Sequence, residues 1–361
     1  LRCWLEVATS GDIIAQEKAM KAVRLVEIRE SLQSAEIPLP AVGEKDVLVR
    51  VQAAGICHSD VHYRAGTSPV GPLPLTPGHE VAGTVEEVGA SVEDLSVGDR
   101  VCLHYLVTCG DCVHCRKGNE QFCVKGKMLG KDIDGGYAEY LVVPARNAVP
   151  LPEDIAFVAG AVLMCSSATS FHALRKARLA PGERVAVFGA GGLGMSAIQL
   201  ARAFGALEVY AVDINADKLS LAAEYGAIPV DAARGDPIVQ LQDLTSGTGV
   251  DVALELIGLA QTMEQAVQSL GVFGRAVLAG ISAEPFAIDS YRVLLGREAE
   301  VIGCSDHLLW ELPLLVEFVR QGKLDLSRVV ARTIPLDVNL INEAMDALEE
   351  FGGEVRTVIT P

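Results

Sequence analysis

Positive charge is scarce in this sequence: 30 lysines and arginines face 47 acidic side chains, a formal net charge of −17. That field repels phosphate backbones and anionic membranes, so neither nucleic acid nor a membrane is expected as a partner. Long apolar runs are missing as well. No stretch approaches the roughly 18 consecutive apolar residues of a spanning helix, and the N-terminus lacks the basic-then-apolar layout of a secretory leader. A cytoplasmic location is expected. There is no internal repeat and no low-complexity segment. The nine cysteines are odd in number, which argues against a secreted disulfide framework. Half of the residues are apolar and 21% are charged, values that exclude disorder. At roughly 150 residues per domain, 361 residues suggest two domains or one large one. Residues 1–19 precede Met20 and read as an N-terminal extension ahead of a natural start, with no function assigned.

From Met20 to about Pro150 the chain reads as short β-branched runs broken by glycine and proline. Strands are expected at Lys21–Val26, Val47–Val51, Val81–Val85, Asp99–Leu103 and Ala138–Val143. From about residue 180 the rhythm becomes strand then helix. Arg184–Phe188, Glu208–Asp213, Val250–Leu256 and Arg275–Ala279 read as strands, and Leu193–Phe204, Asp217–Tyr225 and Thr262–Leu270 as helices. Alternating units of this kind imply a parallel sheet with helices on both faces. The tail reads as helices at Leu308–Arg320 and Asn339–Phe351 and a closing strand at Arg356–Thr360. The longest stretch without expected structure, near 104–131, is rich in cysteine, and a long loop inside a domain needs something to hold it.

Gly189, Gly191 and Gly194 form G-x-G-x-x-G directly after a strand and before a helix, with Gly192 and Leu193 inside the turn. Glycine is needed there for a tight turn, for close backbone approach to a pyrophosphate, and for packing of helix on strand. Asp213 ends the next strand, where a carboxylate would accept hydrogen bonds from an adenosine ribose and repel a 2′-phosphate; no arginine follows it immediately. NAD is therefore expected rather than NADP.

Cys109, Cys112, Cys115 and Cys123 sit in one polar loop. Four thiolates can close a tetrahedral zinc site, and a closed site is structural. An iron–sulfur cluster uses similar spacing, but zinc is preferred in what looks like a hydride-transfer enzyme. A second set is scattered: Cys57-His58-Ser59-Asp60-Val61-His62, then Gly78-His79-Glu80, then Cys165. Two thiolates and one imidazole would leave a fourth zinc position open, the mark of a catalytic site. Spacing alone does not join them, because a lone buried cysteine or a satisfied core histidine is the commoner finding. Cys3, Cys102 and Cys304 read as core or tail residues, and His104, His114, His172 and His307 receive the same structural reading.

Taken together, Gly55–His62, Pro77–Glu80, the four-cysteine loop, Gly135–Tyr140, Cys165 and the Gly189 turn resemble, in order, the zinc-containing alcohol dehydrogenases of the medium-chain dehydrogenase/reductase family. The resemblance runs from Met20 to Pro361. It implies an α/β fold in which a Rossmann doubly wound parallel sheet is inserted into a GroES-like, mostly-β catalytic domain. The implied division is 20–166 for the catalytic domain with its zinc loop, 167–305 for the NAD-binding domain, and 306–361 for a return to the first domain.

By the same resemblance Cys57, His79 and Cys165 would hold the catalytic zinc, with Glu80 as an alternate ligand and Asp60 orienting the histidine. Ser59 would take the substrate proton and pass it through the cofactor ribose to His62. His58 and Arg356 match positions facing the pyrophosphate, Thr169 and Leu193 positions beside the nicotinamide, and Lys218 one near the adenosine ribose. Tyr105 or Leu106 falls near the pocket lining. The implied cofactors are NAD and two zinc ions per subunit, and the implied substrate is a small alcohol or its carbonyl. A homodimer or homotetramer is implied through Glu284–Tyr291. The substrate stays open: a polyol, amino-acid or formaldehyde dehydrogenase shares this pattern, and a nucleotide-binding protein without catalysis is the reading from another class.

Overall fold

The strand Asp46–Gly55 buries Val47, Leu48, Val49 and Val51 almost completely, and a strand so enclosed needs neighbours on both edges. In the computed structural model, which describes residues 18–350 and 355–361, it has them. Glu80–Val88 pairs antiparallel along one edge. Tyr140–Pro144 and Thr357–Ile359 share the other. Arg100–Leu103 and Ala148–Pro150 extend the sheet on one side, and Arg332–Ile334 extends it on the other. The closing strand of the tail is thus hydrogen-bonded into the sheet formed by the first part of the chain.

The second sheet is parallel throughout and has six strands. Across the sheet they run Ile228–Asp231, Glu208–Asp213, Arg184–Phe188, Val250–Glu255, Leu270–Leu278, Glu300–Gly303. Counted along the chain this is the order 3-2-1-4-5-6. It reverses beside Arg184–Phe188, and ligands of such sheets bind at that switch point, beyond the carboxyl ends of the strands. The glycine turn begins at the next residue, Gly189.

Several expectations need correction. The strand Ile228–Asp231 and the helix Pro237–Leu244 were not foreseen. Pro229 suits only the sheet edge, which is where its strand lies, and the helix is started by the Asp236 cap with proline in its first turn. The segment near 104–131 is not structureless: it contains a short helix at Val113–Arg116, a turn of 3₁₀-helix at Glu120–Phe122, and a strand pair, Leu106–Val107 with Lys127–Met128. In the tail the first helix is Leu312–Arg320, preceded by a 3₁₀ turn, and the second is Val338–Glu349. Phe351, Cys3 and most of the expected extension lie outside the described residues; Ala19 already belongs to a strand, Ala19–Arg24.

A helical stretch, Phe157–Lys176, joins the two sheets and was missed altogether. By length and composition it could cross a membrane, but 83% of its apolar window is buried inside the fold, which makes it a core helix. It belongs to one apolar cluster that takes in Ala53, Ala82 and Cys102 from the first sheet and Val185, Val187 and Val209 from the second. Its middle turn, Leu163–Ser167, is a π turn, a local insertion that recurs at functional sites. Ser167 Oγ lies 2.9 Å from Ser196 Oγ, and Ser170 Oγ donates to the Leu193 carbonyl at 2.7 Å. Both bonds fix the stretch to the helix Gly192–Ala203.

Candidate active site

Cys57 caps the helix His58–Ala65 at the end of the strand Asp46–Gly55. Glu80 opens the adjacent strand, with His79 immediately before it, and Cys165 comes from the π turn. Donor atoms of all four residues lie within 4.8 Å of one another, and all four are buried. Asp60 organises the group. Its Oδ2 accepts hydrogen bonds from the Cys57 N–H and the Tyr137 hydroxyl, each at 2.9 Å. Its Oδ1 is 3.3 Å from His79 Nδ1, which turns His79 Nε2 toward the two sulfurs. That nitrogen is buried without a protein partner, and such atoms in native folds are satisfied by something. Two sulfurs and one imidazole nitrogen are a donor set that suits zinc.

The buried groups of this cluster act strongly on one another. Hydrogen bonding to Cys165 holds the Cys57 thiol well below its ordinary value against the effect of burial, and Arg356 and His79 assist. The same bond, with burial, pushes Cys165 well up. Burial works to depress His79, but Asp60 and Cys57 outweigh it and hold the imidazole well above its usual range. Burial pushes Glu80 up to about 7 although Arg356 opposes it. Glu80 Oε1 is 3.1 Å from the Arg356 guanidinium.

Cys109, Cys112, Cys115 and Cys123 also converge to within 4.8 Å, half-buried. The Cys109–Cys123 and Cys112–Cys115 sulfur pairs are each 3.5 Å apart. Backbone N–H groups bring Cys112 down to about 6, which favours the thiolate that binds metal. His114 faces Phe122 rather than the sulfurs.

One cavity of about 750 Å³ runs from Cys57, His79 and Cys165, past Thr169 and Leu193, to the Gly189 turn, Asp213 and Lys218. Gly189 has φ +98°. A Cβ on Gly194 would come 1.8 Å from the Gly189 carbonyl oxygen, whereas one on Gly191 would meet nothing within 4 Å. The first position is closed by packing and the second is open to a ligand. The Asp213 carboxylate accepts from the Ala190 and Asn215 N–H groups at 2.7 and 2.9 Å, fixing it at the cavity edge.

The sequence matches the models for the alcohol dehydrogenase GroES-like domain over residues 43–153 and for zinc-binding dehydrogenase over residues 192–308. It is 34% identical to an NAD-dependent alcohol dehydrogenase of Sulfurisphaera tokodaii, over 95% of this chain and the whole of the relative. The alcohol dehydrogenase of Aeropyrum pernix superposes with a TM-score of 0.87 at 36% identity, covering 94% of this chain and all of that one. A zinc-binding dehydrogenase of Sinorhizobium meliloti, solved with NADP, has a TM-score of 0.87 at 31% identity, covering 95% and 100%. The chain belongs to the zinc-containing alcohol dehydrogenases of the medium-chain dehydrogenase/reductase family. It is accordingly a nicotinamide-dependent oxidoreductase.

The remaining residues that this family suggested fall around the same cavity. Ser59 Oγ is 3.8 Å from Cys57 Sγ. His62 is half-buried, with Nδ1 3.1 Å from Thr67 Oγ1 and its ring 5.0 Å from that of His58. Burial pushes both imidazoles down. Arg356 is buried and bound inward, to Glu80 and to the Ile56 carbonyl at 2.8 Å, and its guanidinium lies against Gly192. Tyr105 lines the cavity and Leu106 does not. Four residues went unforeseen in their roles. Tyr137 supports Asp60, and Cys304 and Asp306 line the cavity. Glu120 accepts from the Leu309 N–H at 2.7 Å, tying the cysteine loop to the tail. Of these only Tyr137 had a sequence signal, its place in the Gly135–Tyr140 run.

Proposed function

We propose that this chain catalyses alcohol + NAD⁺ = carbonyl + NADH + H⁺ on a small alcohol, with two zinc ions per subunit. The observation that carries the reading is the single cavity joining the Cys57–His79–Cys165 cluster to the Gly189–Asp213 turn. When bound, zinc supplies Lewis acidity that makes a hydroxyl easier to deprotonate, and the nicotinamide supplies the hydride acceptor. Cys57, His79 and Cys165 hold the catalytic ion, Asp60 keeps His79 in the tautomer that presents Nε2, and Glu80 is the alternate ligand. Cys109, Cys112, Cys115 and Cys123 hold the structural ion.

Ser59 accepts the substrate proton, and His62, kept neutral by burial, carries it outward. The open backbone at Gly191 and the start of the helix at Gly192 receive the pyrophosphate, with His58 and Arg356 beside it. Thr169 and Leu193 flank the nicotinamide, and Lys218 lies by the adenosine ribose. Asp213 accepts from the ribose hydroxyls and disfavours a 2′-phosphate, which supports NAD over NADP. A cytoplasmic location suits a chain whose eight cysteines among the described residues are free. We assign a dimer or tetramer to the face that carries Glu284–Tyr291, where Tyr291 and Leu295 are exposed.

A panel of alcohols with NAD and NADP, followed by NADH absorbance and run with metal analysis, tests this. Reduction of NAD by a protein carrying two zinc ions is expected. Equal activity after zinc removal refutes the metal's role, and no reduction with any alcohol refutes the reaction.

A further inference from the structure

One carboxylate stands in the wall of the cavity that holds the ligand cluster. Asp306, just past the strand Glu300–Gly303, lines it with Cys304 and Ser305. Its backbone sits at φ +50°, a region that side chains other than those of Asn and Asp adopt reluctantly. Tyr105 donates its hydroxyl to Asp306 Oδ1 at 3.0 Å, and Ser305 donates to Oδ2 at 3.0 Å. The Tyr105 ring meets His79 edge-on at 5.3 Å and His307 at 4.8 Å. One tyrosine therefore spans the distance from the ligating histidine to the carboxylate. A carboxylate offers about four acceptor positions, so the two protein donors leave capacity on the side facing the cavity.

We propose that Asp306 makes this site selective for substrates with a second, neutral hydroxyl beside the reacting one, that is, for vicinal diols. The inference rests on the dehydrogenase reading above and names its substrate class. A monoalcohol brings only hydrocarbon to this wall and strips water from the carboxylate without replacing it, whereas a neighbouring hydroxyl donates to it. Asp306 is thus a specificity residue that acts on substrate binding.

The test compares 1,2-propanediol, 1-propanol and 1-amino-2-propanol with the zinc-loaded wild type, Asp306→Gly and Asp306→Asn, both of which tolerate the backbone angle. It measures kcat/KM with NAD and, by calorimetry, binding of each compound to the enzyme–NADH complex. The wild type is expected to favour the diol over 1-propanol by about tenfold to a hundredfold, the worth of a hydrogen bond to a charged group. The preference collapses in Asp306→Gly, through KM rather than kcat, and is partly kept in Asp306→Asn. A wild-type ratio near one, an unchanged ratio in Asp306→Gly, or tighter binding of the amino alcohol than of the diol overturns the assignment while the dehydrogenase reading stands. Oxidation of none of the three by wild type overturns both.

Discussion

Removing the carboxylate of Asp60 strikes the support on which the ligand cluster rests. Asp60, Tyr137 and His79 are each no more than 1% exposed, so water cannot replace what is lost. Asp60→Ala leaves two buried donors without their acceptor, the Cys57 N–H and the Tyr137 hydroxyl, and takes from His79 Nδ1 the carboxylate that lies 3.3 Å away. At about 1–3 kcal/mol for each orphaned group, and with incomplete additivity, a loss of about 2–5 kcal/mol is expected. That is a large share of the roughly 5–15 kcal/mol that holds a typical fold together. The freed imidazole also loses its fixed orientation, and supports of this kind are worth about 10–100-fold in metal affinity. Urea denaturation measures the first effect and competition with a chelating dye the second. Tyr137→Phe removes one of the two bonds and is expected to lower stability by about 1 kcal/mol; Asp60→Asn, closest in shape, serves if the alanine variant does not fold. Unfolding midpoints and zinc affinities that stay at wild-type values in all three variants would refute the reasoning.

Burial pushes His104 down to about 3 and His307 well below its ordinary value, so the fold keeps both neutral while the unfolded chain protonates them below about pH 6.5. The unfolded state then binds more protons; stability, full above about pH 6.5, drops on acidification by about 1.4 kcal/mol per pH unit for each histidine, and a flat urea-midpoint profile from about pH 7 to about pH 4.5 would contradict this. Asp213→Gly is expected to shift the kcat/KM ratio toward NADP by about tenfold or more; an unchanged ratio takes the carboxylate out of cofactor choice. Cys112→Ser should leave one zinc per chain and a lower melting temperature, and two zinc ions by metal analysis would rule out the four-thiolate site. His62→Gln should slow turnover most in acidic buffer, where hydroxide is too scarce to stand in as proton acceptor; an equal loss at every pH removes His62 from the relay.

The Gly189 turn and Asp213 were legible because their geometry is local: a strand, a turn and a helix in succession leave their mark on neighbouring residues. The four-cysteine loop was legible for the same reason. The Cys57–His79–Cys165 cluster was not legible from spacing, since its members come from two strands and a helix brought together only by sheet pairing and core packing. Resemblance to a family supplied what spacing could not. The helix Phe157–Lys176 escaped because a segment buried on nearly every side shows no amphipathic period, and its π turn depends on packing. Asp306 escaped because a single aspartate after a strand looks like any turn residue, and its meaning comes from Tyr105, which lies far away in sequence.

Cys165 stands where the two halves of the molecule meet. Cys165 sits on the stretch fastened by Ser167 and Ser170 to the helix behind the glycine turn, yet it packs with Cys57 in the apolar cluster of the other sheet, where Cys57 follows the strand Asp46–Gly55 and His79 precedes the strand Glu80–Val88. Anyone recombining this scaffold with a relative inherits a rule for where to cut. A joint inside Phe157–Lys176, or a graft that replaces Leu193 and Ser196 without their serine partners, would import a foreign register and drag Cys165 off its mark. Junctions drawn outside that rod, with both contact pairs carried over intact, let nucleotide preference be exchanged while the Cys57–His79–Cys165 cluster is preserved.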